Sequence, residues 1–363
     1  MVNARRLLCL SLLVLRIAFA KAQDPFISQF FSNRPYLNPA FTGIDDGMQV
    51  NVTARNQWYA ANKGYSFYTA SADFRVPCWN SGFGLMVTHA REGLAPLVST
   101  QGALTYSYGV RGFSGAIQCS LNHKYLDWSR FTFSDELDPV YGDIYDSAVA
   151  NGEGSVLFPD FAGGVLFRWN ARERRIGRTK FKNRWHVGLA VHHLASLSKV
   201  GPDASFLHTD PMKVPPRLTL HSGLIIPLTT LGGQSLLISP NIRLESQGSN
   251  PLNYNKSQTL FSGGVYFIFM NKFTLGTLYH NRAFSIGKRH TSFVTFTTGY
   301  ANVPKKEESD AFYVGFSIDV NPNGLGWQSK NTYEFNARYT FNSMTKGCRS
   351  TFKSKGTGCP IWD

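Results

Sequence analysis

The chain has 363 residues, of which 43% are hydrophobic, 14% aromatic and 17% charged, with 33 Gly and 28 Phe. A charged fraction this far below the ~25% usual for soluble domains disfavours an ordinary cytosolic enzyme, and so apolar and aromatic a chain is not disordered. The formal net charge is +14, which suits anionic lipid, glycan or an acidic protein as well as it suits nucleic acid.

Residues 1–22 read as a cleaved secretory signal. Arg5 and Arg6 precede the apolar LLCLSLLVL, and Ala18-Phe19-Ala20 supplies the small residues of a cleavage site, although Arg16 intrudes near the end of the apolar stretch. Cleavage falls after Ala20 or after Ala22, the second leaving Gln23 as the new terminus. Loss of Arg5, Arg6, Arg16 and Lys21 lowers the net charge to about +10. Beyond the signal no stretch approaches the ~18 apolar residues of a membrane helix; GLIIPL at 223–228 is among the longest. Export also argues against a nucleic-acid partner, even where basic and aromatic residues interleave at Arg168-Trp169 and Phe181-Lys182.

Residues 23–46 are expected to form a periplasmic leader rich in aromatics: Phe26, Phe30, Phe31, Tyr36 and Phe41. They are either a lead-in tucked into a barrel mouth or a docking epitope. Asn38-Pro39 favours an extended or turn conformation at Asn38, and Gly43 permits a positive φ before the first strand.

From residue 47 to 341 the dominant pattern has period two, and about fourteen segments carry it, starting near 47, 65, 82, 97, 112, 158, 184, 217, 234, 258, 272, 290, 311 and 331. Leu104, Tyr106, Tyr108 and Val110 alternate with Thr105, Ser107 and Gly109, and Trp185, Val187, Leu189 and Val191 with His186, Gly188, Ala190 and His192. Near the end, Phe312, Val314, Phe316, Ile318 and Val320 oppose Tyr313, Gly315, Ser317 and Asp319; Tyr333, Phe335, Tyr339 and Phe341 oppose Glu334, Asn336, Arg338 and Thr340. Most segments are long enough for the ~9–11 residues that a tilted strand needs to cross a bilayer, whereas soluble strands average ~5–6. The expected fold is all-β, a transmembrane antiparallel β-barrel of about fourteen strands.

Connection lengths agree with a barrel whose ends both lie in the periplasm, since odd-numbered connections such as 125–157 and 196–216 are long and even ones are tight turns at Arg111-Gly112, Leu231-Gly232-Gly233 and Asn271. The exception is the even connection 170–183, which carries Arg172, Arg174, Arg175, Arg178, Lys180 and Lys182. A charged hairpin of this kind is commonly just a solvated surface. Its expected side of the membrane nevertheless makes these six residues the candidate contact for a periplasmic protein. Trp58, Tyr59, Trp128, Trp169, Trp185 and Trp327 sit at strand ends, where amphipathic rings settle at headgroup level.

Residues 342–363 form a Gly/Lys/Ser-rich tail, expected to be periplasmic, that holds Cys348 and Cys359. With Cys9 removed, four cysteines remain and three pairings are possible; Cys348 with Cys359, which closes a short loop, is the candidate disulfide, against four unrelated thiols.

A search for chemistry returns little. His192 and His193 are neighbours on a strand and so point to opposite faces, which does not suit a shared metal. Asp135, Glu136, Asp138, Asp143 and Asp146 offer carboxylates without the spacing of an EF-hand, so a solvated loop is the simpler reading. Gly163-Gly164, Gly232-Gly233 and Gly263-Gly264 lack a phosphate-binding setting and fit turns and crowded strand faces. No GxSxG elbow is present. No catalytic residue, metal or cofactor is expected.

The start of the mature chain reads Gln23-Asp24-Pro25, then Ser28-Gln29, Leu37-Asn38-Pro39-Ala40-Phe41-Thr42-Gly43 and Arg55-Asn56-Gln57-Trp58. This resembles the PorP/SprF family of type IX secretion proteins, as do Pro159-Asp160-Phe161-Ala162-Gly163-Gly164-Val165, VGLAVHHL at 187–194 and the closing TYEFNARYTF. The resemblance marks Gln23, Asp24, Pro25, Asn38, Pro39, Gly43, Arg55, Gln57 and Trp58 as family-motif residues. It implies an integral outer-membrane barrel, without enzymatic activity, in a machine that exports cargo bearing a C-terminal signal and in gliding relatives helps place surface adhesins. The implied partners are a periplasmic ring lipoprotein, a peptidoglycan-linked subunit and outer-membrane lipid. The tail beyond Phe341 departs from relatives that end near the last aromatic strand residue. Two rivals stay open on the residues alone: a transport barrel resembling fatty-acid channels with the leader or tail as plug, and a secreted β-sandwich that binds glycans. The inward Asp319, Glu334 and Arg338 do not separate an open lumen from a filled one.

Overall fold

The computed structural model describes residues 24–45, 47–58, 64–93, 97–127, 137–138, 142–143, 154–170, 174–176, 179–181, 183–197, 213–231, 234–252, 257–283, 290–302, 310–320 and 331–341. Fourteen antiparallel strands close into one barrel. They are β1 Met48–Gln57, β2 Tyr65–Val76, β3 Ser81–Glu92, β4 Leu97–Val110, β5 Phe113–Leu126, β6 Ser155–Asn170 and β7 Arg184–His192, followed by β8 Arg217–Leu231, β9 Gln234–Gly248, β10 Ser257–Phe269, β11 Phe273–Ala283, β12 His290–Asn302, β13 Ala311–Val320 and β14 Thr332–Phe341. The largest departure from the expected starts is at β6, which begins at Ser155 rather than near 158.

Each strand pairs with its sequence neighbours, and β1 closes on β14 in a register running from Met48 opposite Phe341 to Asn56 opposite Tyr333. Closure removes the unpaired edge that would otherwise leave backbone N–H and C=O groups without partners in a bilayer. One irregularity interrupts the ladders, a register shift between Pro227 and Thr229 of β8, where proline lacks the N–H that a regular pair would use.

The alternation read from the sequence sorts outside from inside. Leu104, Ile117 and Leu157 are 65%, 69% and 62% exposed on the outer face. The same strands bury Thr105, Gln118 and Asp160 toward the lumen. In β14, Tyr333, Phe335 and Tyr339 face outward while Glu334, Asn336 and Arg338 are buried. An apolar exterior around a polar interior is the inverse of a soluble barrel, and it fits a protein whose surrounding solvent is lipid. Trp169 and Trp185 stand opposite each other in the β6–β7 register, both largely exposed, at one rim; exposed Trp58 lies at the other rim, beyond the end of β1.

The two rims differ in their connections. At one, β4 joins β5 through Arg111 and Gly112, both at positive φ, and β10 joins β11 through a turn with Met270 and Asn271 in the same region. Turns with positive φ match the twist of the paired strands and keep this rim short. The 170–183 connection also leaves from this rim and forms a hairpin of Arg174–Ile176 with Thr179–Phe181. Between β5 and β6 at the opposite, long-loop rim, Leu137–Asp138 pairs with Gly142–Asp143.

Lipid exposure makes a graded prediction. Arg in place of Leu104, at the middle of β4, should destabilise the barrel by about 2–4 kcal/mol, and Arg in place of Leu157, near the end of β6, by about 0–1 kcal/mol. Urea unfolding in lipid vesicles measures both; equal costs at the two depths would contradict a bilayer-spanning barrel.

Candidate functional site in the lumen

The lumen is filled by the chain's own leader. Residues expected in the periplasm run from Asp24 at the long-loop rim to Asp45 at the short-turn rim, inside the barrel along its length. Ile27, Phe30, Phe31 and Ala40 are at most 1% exposed. A short helix, Arg34–Leu37, and a single 3₁₀ turn, Pro39–Phe41, shape the segment, with proline in the first turn of each. The segment is too short and irregular to satisfy its own backbone, so barrel side chains supply partners.

The central contact is ionic. Arg55 of β1 reaches Asp319 of β13 at 2.8 Å and Glu334 of β14 at 3.1 Å. Arg55 and Glu334 stand in register across the closing pair of strands. Glu334 then accepts the backbone N–H groups of Ser28 at 2.8 Å and Gln29 at 2.9 Å, while Asp319 accepts the Ser28 hydroxyl at 2.8 Å. The guanidinium of Arg243 lies between the rings of Phe26 and Phe30, 4.8 and 4.6 Å from their centroids. Arginine suits this place because its planar, weakly hydrated cation can stack on aromatic faces away from water.

The Asn38-Pro39-Ala40-Phe41-Thr42-Gly43 motif is read by the wall. The Asn38 amide donates to the carbonyls of Val165 at 3.1 Å and Leu189 at 3.3 Å, and its Oδ1 accepts from the Ala40 N–H at 2.9 Å, capping the 3₁₀ turn. That side chain fits because β6 and β7 present Gly164 and Gly188 here; a Cβ on Gly164 would lie 2.0 Å from Asn38 Oδ1. Gly43 takes φ +60 against the backbone of Gly82 and Phe74, where any side chain would collide. Its N–H donates to Asp73 at 2.8 Å, and the Ser107 and Ser114 hydroxyls donate to the carbonyls of Thr42 and Ala40 at 2.6 and 2.9 Å. Phe41 stacks on His221 at 5.3 Å.

Both ends of the leader are held by charge. At the short-turn rim Asp45 pairs with Arg34 and with Arg168. At the long-loop rim the Asp24 carboxylate meets His193 Nε2 at 2.7 Å and Arg217 at 3.1 Å, and His193 Nδ1 meets Asp160 at 2.6 Å. Both imidazole nitrogens therefore donate, which requires the charged ring. Burial opposes that charge, but the Asp24 and Asp160 carboxylates outweigh it and push His193 up to about 9. The expectation that His192 and His193 point to opposite faces of a strand is corrected: β7 ends at His192, and His193 turns at φ 61 so that its ring reaches the lumen.

The family-motif residues thus fall mainly in one place. Asp24, Pro25, Asn38, Pro39 and Gly43 line or fill the lumen, and Arg55 is their ionic anchor; Gln57 ends β1, Trp58 faces outward, and Gln23 lies outside the described residues. The basic hairpin is elsewhere. Arg174, Arg175 and Lys180 lie on its two short strands, while Arg172, Arg178 and Lys182 lie outside the described residues. Cys348 and Cys359 also lie outside them. Cys78, in the turn after β2, is disulfide-bonded, and Cys119 is free on the outer face. Among the described residues no three His, Cys, Asp or Glu side chains group as for a metal.

Two outcomes test the leader's hold. Arg55→Ala leaves two carboxylates buried without their cation and should cost about 3–5 kcal/mol, read as a lower unfolding midpoint with faster chymotryptic cleavage after Phe30 and Phe31. The His193 contribution is full below pH 6.5, the ordinary histidine value, and is lost as pH rises through about 9. Leader cleavage should therefore quicken across that window in the native protein and be pH-independent there in His193→Gln.

The chain matches the family described as "Type IX secretion system membrane protein PorP/SprF" over residues 19–339. No curated protein matches it. Among solved structures it is similar to the Pseudomonas putida toluene transporter TodX, with 11% identity, a TM-score of 0.43 and coverage of 84% of this chain and 92% of that one. The CymD monoaromatic hydrocarbon channel gives 12%, 0.42, 89% and 94%, and a Pseudomonas aeruginosa FadL homologue 12%, 0.40, 88% and 95%. Likeness this remote carries no argument about function. The family match spans nearly all of the barrel and the leader that fills it, and on that ground the chain belongs to the PorP/SprF family of type IX secretion outer-membrane proteins.

Proposed function

We propose that this protein is a non-enzymatic, closed scaffold of the type IX machinery, anchoring the periplasmic ring complex to the outer membrane and supporting export or surface placement of cargo. The observation that supports it most is the occupied lumen: buried ion pairs and backbone contacts bind the leader over its length, which suits a rigid anchor better than a pore.

In this reading the short-turn rim faces the periplasm. The basic hairpin and the Asp45 end of the leader then share one side, and the partners there are the ring lipoprotein and the peptidoglycan-linked subunit. Arg and Lys side chains are charge-assisted donors suited to an acidic partner surface. The transport reading would require the leader to leave or shift, because its rings occupy the path a solute would take.

Affinity recovery of the tagged protein from detergent-extracted outer membranes tests the proposal. Ring lipoproteins should be recovered with it, and combined Arg172→Ala, Arg174→Ala and Arg175→Ala should lower that recovery several-fold with no change in barrel yield. Unchanged recovery would remove the hairpin from the contact; recovery of the barrel without any ring protein would overturn the scaffold reading.

A further inference from the structure

At the long-loop rim the leader leaves one part of the lumen unfilled, a cavity of about 110 Å³ between Asp24, Pro25 and Tyr36 on one side and the inner face of β3 to β6 on the other. Its wall sets a row of neutral hydrogen-bonding groups among apolar side chains such as Met86, Leu97 and Phe158. Thr88, Gln101 and Asn122 follow one another in register across β3, β4 and β5, with Ser99, Gln118 and Ser120 beside them.

The bonds within this wall are incomplete in a consistent way. Gln101 donates its amide to Ser120 at 3.1 Å, Gln118 to Thr105 at 3.0 Å and Asn122 to Ser120 at 3.5 Å. Each carboxamide therefore spends one end inside the wall and keeps the other for whatever enters. His192 also borders the cavity, but its Nε2 is buried away from it.

The charges narrow the guest. Asp24, Asp160, His193 and Arg217 satisfy one another, which leaves no free countercharge in that cluster. Glu92 and Lys124, also on the lining, are of opposite sign. An anion or cation would meet charges of both signs there, whereas a hydroxyl can donate to a carboxamide oxygen or accept from an amide. A wholly apolar guest would cover the carboxamide ends, whereas a sugar ring also has C–H faces for Met86, Leu97 and Phe158.

We propose that this cavity binds a neutral polyhydroxylated ligand, the size of a single sugar residue, held by Gln101, Gln118 and Asn122. The site is independent of the ring contact, so failure here leaves the scaffold reading standing.

Saturation-transfer NMR of the full-length protein in detergent tests it with four separate probes: N-acetylglucosamine, methyl mannoside, glucuronate and toluene. At least one neutral sugar should titrate, more tightly than glucuronate or toluene. Asn122→Leu and the milder Gln101→Leu, each checked for a folded barrel by heat-modifiable gel mobility, should weaken it about tenfold. Asn122→Leu adds a large apolar group to a buried position, so Gln101→Leu, at a half-buried one, carries the test if the first does not fold. No transfer to either neutral sugar, equal affinity in a folded variant, or tighter binding of glucuronate or toluene would overturn the proposal and leave a water-filled vestibule.

Discussion

Glu334 is 1% exposed inside a barrel that faces lipid outside. A carboxylate there is tolerable only if its oxygens are matched, and four groups match them: the Arg55 guanidinium, the Asn336 amide and the N–H groups of Ser28 and Gln29. Two of the four belong to the leader. The barrel wall and its plug are therefore not separable parts, because the wall's buried charge is satisfied by the plug's backbone and the plug's backbone by the wall's charge. Asp319 extends the arrangement by taking Arg55, the Ser28 hydroxyl and the Thr295 hydroxyl together.

From that centre the other contacts follow a division of labour. Aromatic rings and arginine planes fill the middle, glycines in β3, β6 and β7 let the Asn38 to Gly43 stretch approach the wall, and ion pairs at Asp24 and Asp45 hold the two ends. Burying a charge pair gives little net stability by itself, but removing one member leaves the other exposed to a poor environment, so such networks specify one arrangement more than they strengthen it. A leader specified in this way makes a stiff element. That stiffness is what the proposed anchoring role requires.

Period two made the barrel legible, since Phe312 to Val320 and Tyr333 to Phe341 each present one apolar and one polar face, and strand length separated a bilayer-crossing barrel from a soluble one. The content of the lumen was not legible. Polar inward residues have the same pattern whether they meet water or protein, and the aromatic leader read equally as a lead-in or a docking epitope. One signal was present: in a closed barrel the first and last strands are neighbours, so Arg55 and Glu334 could have been paired in advance. His193 could not, because its role depends on β7 ending at His192 and on a positive φ that ordinary residues rarely adopt. The wall glycines were read as crowded faces, which holds for Gly164, but what crowds it is Asn38 from the leader, 126 positions before it in the sequence.

The account rests on a lumen closed by a leader that stays in place. Conductance of the purified protein in a planar bilayer tests this most directly, with Arg55→Ala measured beside it. The native protein is predicted to be silent, and the variant to show intermittent openings as the leader loosens. Steady, substrate-dependent current through the native barrel would contradict the closed scaffold and return the protein to the class of transport channels.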